Sequence, residues 1–404
     1  ALVVTAPSPE RGLAPDGGTV GDAVFAALAN NPQLDIALAR EGAARAELFA
    51  SFGQFLPEIQ GLANYARQDW RSSTLETLED RDGLTVGVTV RQPVFQGFSA
   101  ANRFRENRRR LDQSRASVEQ TREQTSLMAA QAHAALVFAR EIAAHRVTNL
   151  ALVQRQLEVV EARMKAGAQS RTGFEQARMR RDQALAALEE AKANIAGEEA
   201  FYSRVTGKTP APRLVPDPSR DTLGFTSDGE AIRAAVDHNP GLTAAKKALD
   251  AARFAKRAAY GQFAPSLSVD GSYFQRYTED EIRPEEDEFQ VVARMRIPIF
   301  AQGQNVAATR RAGADYASRR AELADARLVV EETAARTWRT ILGARARREA
   351  ALQSIEAAQL AVKGLEIEYG AGQRTVIDVL DGQRDLVNTQ ISLSQAEFDL
   401  RIAR

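Results

Sequence analysis

The chain contains no cysteine, only three histidines and no long hydrophobic run among its 404 residues. The missing cysteine excludes disulfide bonds, thiolate chemistry, Cys-ligated zinc and a lipid-modified N-terminal cysteine. No stretch approaches the roughly 20 apolar residues that a helix needs to span a bilayer. Basic and acidic residues balance at 53 each, so no bulk field recruits nucleic acid. We interpret the arginine-rich run at 103–110 as a solvated helix face, because it lacks the interleaved aromatic residues of a nucleic-acid site.

The usual signatures of catalytic and metal-binding sites are also missing. His133, His145 and His238 are isolated, with no second histidine four residues away, which argues against a metal site. Gly207-Lys208-Thr209 ends like a phosphate-binding loop, but Tyr202 stands where that loop needs a glycine. No nucleophile elbow or general acid–base pair stands out. We therefore expect no catalytic residue, no metal ion and no cofactor.

One order of segments occurs twice in the chain. Four segments of the first half return in the second: 27–34 as 235–242, 53–57 as 261–265, 91–95 as 296–300, and 166–172 as 371–375. Because the offset hardly drifts, whole halves are duplicated, which predicts an elongated, pseudo-symmetric object. We expect an extended segment at 1–20, a first repeat at 21–207, a linker at 208–228 with four prolines, and a second repeat at 229–404.

Each repeat contains one predicted β-hairpin, at about 57–97 and about 265–300. After Pro57, side chains alternate with Ile59, Ala63 and Tyr65 on one face, and the second repeat alternates in the same way. Aromatic residues concentrate around these segments, which is typical of the interfacial girdles of membrane strands. A small water-soluble β-domain that packs its aromatic side chains inside is the alternative.

A predicted helical hairpin of unusual length follows each β-hairpin, at about 98–207 and about 302–404. No glycine or proline interrupts residues 98–166, and a helix of that length reaches about 100 Å. Apolar residues near the far ends recur with the 3-4 spacing of a coiled coil. The hairpins turn at Ala166-Gly167-Ala168 and Gly370-Ala371-Gly372, where we expect left-handed helix caps at a glycine.

The segment Tyr369–Asp381, with the sequence YGAGQRTVIDVLD, resembles the signature of the TolC family of outer-membrane efflux and secretion channels. The paired Asn-Pro breaks, the Phe-x-Pro entries to the strands and the Val205-Thr206-Gly207 ending resemble that family too, so the resemblance extends from about Gly21 onward. It implies a mainly α fold with β: a trimer with four strands per chain. A twelve-stranded membrane β-barrel would continue into an α-helical barrel of long antiparallel coiled-coil hairpins, with the linker in an equatorial belt.

The resemblance also implies a periplasmic gate. The matching positions are Thr172, Tyr369, Arg374, Asp378 and Asp381. Repeated by symmetry, the two aspartates would form a cation-attracting constriction, and Arg374 could pair with a neighbouring carboxylate or carbonyl. Where the family has an aspartate on the first hairpin, this chain has Gly173, so the Tyr369 hydroxyl would lack that partner. The alternative is an ordinary solvated helix start, where acidic residues favour the helix dipole.

A second set of positions matches the tips that contact a periplasmic adapter protein in the family. These positions are Gly167, Ala168, Gly372 and Gln373. The implied function is that of an outer-membrane exit duct in a tripartite export system of a Gram-negative bacterium. The homotrimer, embedded in outer-membrane lipid, would passively conduct proteins or small molecules from an inner-membrane transporter, ABC or proton-driven, through the adapter. It would have no enzymatic activity and bind no nucleic acid.

The missing cysteine favours type I secretion or general efflux over the lipidated branch of the family. Two alternatives come from other classes of protein: a periplasmic coiled-coil structural or adapter protein without a pore, and a soluble enzyme with helical hairpins. The chain opens without a signal peptide, as either a processed chain or an edited one would. Arg404 falls inside a predicted helix, so we expect further residues after it.

Overall fold

The computed structural model describes residues 17–71, 78–216, 225–278 and 285–403. Its elements, in chain order, are α1 (Val20–Asn30), α2 (Pro32–Gly53), β1 (Glu58–Arg71), β2 (Leu78–Gln96), α3 (Ser99–Lys165), α4 (Arg171–Thr206), α5 (Asp228–His238), α6 (Pro240–Gly261), β3 (Ser266–Thr278), β4 (Glu285–Arg296), α7 (Gln304–Gly370) and α8 (Val376–Ala403). The second six elements repeat the types and order of the first six. The prediction of a mainly helical chain with four strands and an internal repeat is confirmed. Most of the expected N-terminal segment, and the middle of the linker and of both hairpin loops, lie outside the described residues.

The described residues form two compact units. Those within 1–36, 119–239 and 329–404 make up one, here called the helical unit, and those within 37–118 and 240–328 make up the other, the strand unit. Among the described residues, no helix is both long enough and apolar enough to cross a membrane.

The strand unit contains one antiparallel sheet in the order β1-β2-β3-β4. The central pairing of β2 with β3 joins the two halves of the sequence, with Arg91 opposite Asp270. The register shifts between Pro93 and Phe95, where proline lacks the N–H that the ladder would need. The sheet therefore combines both predicted hairpins into a single four-stranded layer.

The two faces of this sheet differ sharply in polarity. Residues directly opposite each other on paired strands share a face, and successive residues alternate. One face carries exposed apolar side chains on all four strands: Ile59, Tyr65, Val86, Val88, Val90, Val269, Tyr273, Phe289, Val291 and Met295. The other face carries mostly polar and charged ones, with Leu62, Phe274 and Val292 as apolar exceptions: Gln60, Asn64, Thr85, Thr89, Arg91, Ser268, Asp270, Gln290, Arg294 and Arg296. An exposed apolar face of this extent calls for an apolar environment.

The helical unit has an apolar core where α1 packs on α3 and α4. Ala129, Ala132 and Leu136 of α3 lie fully buried against Ala23 and Tyr202 of their neighbours. Small side chains let these helices approach closely. The apolar area that they bury stabilises the fold by about 25 cal/mol per Å².

Polar side chains fasten the ends of the segments around this core. Asn31 Nδ2 donates to the carbonyl of Val205 over 3.2 Å, next to the end of α4. Gly207 caps that end with a φ of +70°, and an added Cβ would lie 2.7 Å from the side chain of Asn30. Arg140 donates to the carbonyls of Ala211 and Pro212 at 2.9 and 3.0 Å. The start of the linker is thereby held against α3.

Candidate functional site

The two turns of the helical hairpins have the same backbone geometry. After α3, the amides of Gly167 and Ala168 donate to the carbonyls of Met164 and Arg163 at 3.0 and 2.8 Å. After α7, the amides of Gly372 and Gln373 donate to the carbonyls of Tyr369 and Glu368 at 3.0 and 2.9 Å. Each is a Schellman motif, with its glycine left-handed at a φ of +71° and +77°. The predicted left-handed caps are confirmed.

The candidate tip residues Gly167, Ala168, Gly372 and Gln373 are all exposed. No atom lies within 4 Å of a Cβ built on either glycine, so the positive φ, not lack of space, requires glycine here. These turns leave backbone groups and small side chains accessible, which is what a protein-binding tip would need.

Asp378 caps the helix that follows the second turn. Its Oδ2 accepts from the Thr375 amide at 2.8 Å and from the Thr375 hydroxyl at 2.7 Å, and the Asp378 amide donates back to that hydroxyl at 3.4 Å. This reciprocal arrangement is a capping box. The hydrogen bonds from Thr375 lower the pKa of Asp378, so its carboxylate stays charged at neutral pH.

Arg374 pairs with a carboxylate of its own hairpin. Its Nε donates to Glu368 Oε2 at 2.9 Å, and this hydrogen bond raises the pKa of the guanidinium. Because Glu368 belongs to the last turn of α7, the contact braces the turn against the helix before it. Sequence reasoning expected a carboxylate or carbonyl partner for Arg374 but did not identify Glu368.

Tyr369 lies at an apolar cluster where four helices supply side chains. Val153 and Val160 of α3, Ala177 of α4, and Val376 and Leu380 of α8 form the cluster, and the Tyr369 ring packs against it. The guanidinium of Arg163 lies 4.6 Å from the centre of that ring, a cation–π contact. The Tyr369 ring therefore holds the end of α7 to the first hairpin.

The hydroxyl of Tyr369 is buried and has no hydrogen-bond partner among the described residues. Leaving such a group unsatisfied costs about 1–3 kcal/mol. Gly173 near the start of α4 is itself buried and offers no side chain; its amide donates to the Ser170 hydroxyl at 3.1 Å.

Asp381 forms an ion pair with a residue of the first hairpin that the sequence analysis did not identify. Arg180 Nη2 on α4 lies 2.7 Å from Asp381 Oδ1 on α8, and the side chains are 25% and 38% exposed. Arg384 of α8 also approaches Asp381, at 3.7 Å. Arg180 lies three residues after the buried Ala177 and so shares its helix face. In the sequence, only this spacing indicated that Arg180 faces a neighbouring helix, and it could not identify Asp381 as the partner.

Thr172 stays apart from the other candidates. It is exposed near the start of α4, and within the described part of the chain it makes no hydrogen bond to Tyr369 or Arg374. Of the five predicted gate residues, the structure places Tyr369 and Asp381 at contacts between hairpins. Arg374 and Asp378 bond within the second hairpin.

A second polar cluster ties α3 to α8 farther from the turns. Ser394 Oγ lies 3.4 Å from His145 Nε2, and Arg401 approaches Glu141 at 3.9 Å and Glu397 at 3.7 Å. Burial lowers the pKa of His145 and raises the pKa of Glu141. Among the described residues, no three His, Cys, Asp or Glu side chains are placed to hold a metal ion.

Residues 24–207 and 231–404 match the outer membrane efflux protein family, so both halves of the chain carry the match. The outer membrane efflux protein BepC of Brucella suis is 31% identical over 350 residues, covering 86% of this chain and 75% of BepC. The outer membrane protein TolC of Vibrio cholerae is 26% identical over 405 residues, covering 95% and 90%. The solved CmeC outer membrane channel of Campylobacter jejuni superposes with a TM-score of 0.86 at 15% identity, covering 96% of this chain and 84% of CmeC.

Proposed function

The chain belongs to the outer membrane efflux protein family, and from this we propose that it is the exit duct of a tripartite export system. It is an outer-membrane channel of a Gram-negative bacterium, as its relatives are. The observation that carries the proposal is the family match over both halves of the sequence. Neither of the alternatives, a periplasmic coiled-coil protein and a soluble enzyme, is supported by this assignment.

The open edges of the sheet support a homotrimer. In the described chain, β1 and β4 each have only one neighbouring strand. Unpaired backbone groups at such edges are too costly to leave in a bilayer. If β1 of one chain pairs with β4 of the next, three chains close a sheet of twelve strands. The apolar face would then contact lipid, and the polar face would line a water-filled bore.

Conduction would need no chemistry from this chain. The channel would receive small molecules or proteins from an inner-membrane transporter through a periplasmic adapter, and the transporter would supply the energy. General efflux agrees with the name of the Brucella relative, and the missing cysteine favours type I protein secretion or general efflux over the lipidated branch. We include in the proposal that the chain has no catalytic activity.

The apolar cluster around Tyr369 and the Arg180–Asp381 ion pair would form the periplasmic gate. Both join the second hairpin to the first, so separating the hairpins must break them. Thr172, Tyr369, Arg374, Asp378 and Asp381 stay the proposed constriction residues. Arg180 pairs with Asp381, whereas Asp378 makes no ion pair among the described residues and is influenced only by the more distant charge of Arg374. Asp378 is therefore the stronger candidate for attracting cations.

The exposed turns at Gly167-Ala168 and Gly372-Gln373 would be the adapter-contact tips. The naturally cysteine-free chain allows a direct test with single cysteines at Ala168 and Gln373. We expect both to crosslink to a co-expressed periplasmic adapter protein, whereas a cysteine at the exposed Glu190, about 30 Å along α4, does not. Equal crosslinking from Glu190 would remove the tip assignment.

Planar-bilayer recording tests the duct itself. We expect the purified protein to migrate as a heat-resistant trimer and to insert as discrete conductance steps. A protein that is monomeric, stable without detergent and inactive in bilayers would contradict the proposal.

A further inference from the structure

The polar face of the sheet carries three arginines that meet at one cavity where the strands join the helices. The cavity measures about 550 Å³, and Arg91 of β2 and Arg294 and Arg296 of β4 line it. The hydroxyl-bearing Ser266 and Ser268 of β3 line it between them. Strand register explains the convergence, because Ser268 is paired with Arg294 and Ser266 with Arg296. Among the described residues, none of those lining the cavity is acidic.

One carboxylate partly compensates these charges from outside the lining. Asp270 lies 3.3 Å from Nε of Arg91 and 3.7 Å from Nε of Arg294, so two guanidinium groups share a single negative charge. Arg296 makes no ion pair within the part of the chain that the structure describes. Glu58 of β1 is paired opposite Arg91, but its carboxylate accepts a hydrogen bond from Gln60 at 2.7 Å and does not line the cavity. The cavity therefore has a positive excess.

We propose that this cavity binds a phosphate group of a soluble anion. Arginine presents a planar fork of donors that matches phosphate oxygens, and several forks around one space bind such a group more tightly than a single surface arginine does. The serine hydroxyls can donate to the same oxygens. A lipid phosphate is the other source of this chemistry, but the arginines lie on the face opposite the apolar side chains. With this site, the channel would bind phosphate-bearing anions in addition to conducting passively.

Calorimetric titration of the full-length protein in uncharged detergent with inorganic pyrophosphate tests the site. We expect Arg296→Gln and Arg294→Gln each to weaken binding about tenfold, the loss of one charged hydrogen bond. Arg276→Gln is the matched control, because Arg276 lies on the same face of β3 but is already paired with Glu286 at 3.2 Å. Its affinity should stay within about twofold of the unaltered protein.

Three results would overturn the proposal. One is the absence of pyrophosphate binding in the unaltered protein, and another is an equal loss in Arg276→Gln, which would indicate only general charge attraction. The third comes from nanodiscs with and without anionic phospholipid: competition between lipid and pyrophosphate would assign the site to a lipid phosphate instead. The experiment measures binding and not conduction. If the channel conducts but does not bind pyrophosphate, this site is refuted and the proposed function is unaffected.

Discussion

Asp381 is the predicted gate residue that forms an ion pair between the two hairpins. Its partner Arg180 comes from α4, at 2.7 Å, while Arg384 approaches from one turn along its own helix. Both members of the Arg180–Asp381 pair are partly exposed, so the pair contributes only about 1 kcal/mol. An interaction of this size can be broken and remade, as a gate requires.

Removing Arg180 should favour separation of the hairpins. We expect Arg180→Ala to raise the open fraction in single-channel recordings about fivefold, which corresponds to about 1 kcal/mol. The control is Arg178→Ala, because Arg178 pairs with Glu175 inside α4, at 3.8 Å. The exchange Arg180→Asp with Asp381→Arg should restore the closed state. If Arg178→Ala raises the open fraction equally, the Arg180–Asp381 ion pair does not hold the channel closed.

The second turn contains two neighbouring glycines with different demands. Gly372 is left-handed at +77°, whereas Gly370 ends α7 without a positive φ. No atom crowds either position within 4 Å. Gly372 and Gly370 therefore differ in backbone conformation and not in the space around them.

Alanine at the two positions should act in opposite directions. We expect Gly372→Ala to destabilise the hairpin by about 1–2 kcal/mol, since a Cβ is disfavoured in the left-handed region. Gly370→Ala should be neutral or stabilising by up to about 1 kcal/mol. Thermal unfolding of both variants at one detergent concentration measures the difference. Equal effects would argue against the Schellman geometry.

The contact of α3 with α8 contains titratable groups of opposite sign. Burial lowers the pKa of His145 from 6.5, with Arg146 adding to the shift, so the unfolded chain binds the proton first as pH falls below 6.5. The free energy of unfolding then falls with pH. Burial raises the pKa of Glu141 above 4.5 against the opposing charge of Arg401, so its protonation favours the folded state at lower pH. The two effects therefore have opposite signs: protonation of His145 destabilises the folded state and protonation of Glu141 stabilises it.

We expect α8 to lose protection as pH falls from 7.5 to about 5.5, because His145 becomes charged more readily when α8 detaches. Hydrogen exchange of residues 390–402, corrected for intrinsic rates, measures this. His145→Gln should remove most of the pH dependence in that window. His238→Gln is the control, since His238 is exposed and bonds within α5, to the carbonyl of Ala234 at 3.0 Å. A pH profile unchanged by His145→Gln would contradict the assignment.

The complete assembly depends on the sheet edges. Within one chain, β2 and β3 separate β1 from β4, which places the outer strands about 14 Å apart. A disulfide needs Cα atoms within about 7 Å, so cysteines on β1 and β4 cannot join inside a chain.

A disulfide between a cysteine on β1 and one on β4 therefore shows that two chains are neighbours. We expect Gly61→Cys, combined in turn with Val291→Cys, Ala293→Cys or Met295→Cys, to give covalent dimers and trimers on non-reducing gels for at least one pair. The naturally cysteine-free chain keeps the background clean. Val88→Cys on the internal strand β2 replaces Gly61→Cys in the control and should give none. If no pair crosslinks, β1 and β4 are not neighbours between chains.

Much of the fold follows from local sequence. Period-two alternation after Pro57 and after Pro265 specifies strands, and residues 98–166, free of glycine and proline, specify a long helix. Gly167 and Gly372 mark the turns, because only glycine adopts a left-handed cap without strain. The duplication itself is visible as repeated segments. These are short-range properties, and neighbouring residues determine them.

The tertiary structure alone decided which distant residues meet. Arg180 and Asp381 lie 201 positions apart, and either could pair with a nearer charge, as Arg180's neighbour Arg178 does with Glu175. Likewise, Arg91, Arg294 and Arg296 become one cluster only because β2, β3 and β4 align in register. Local patterns fix the conformation and the faces of each element. Contacts between elements depend on how those faces pack, and the energy of that packing is not encoded at any single position.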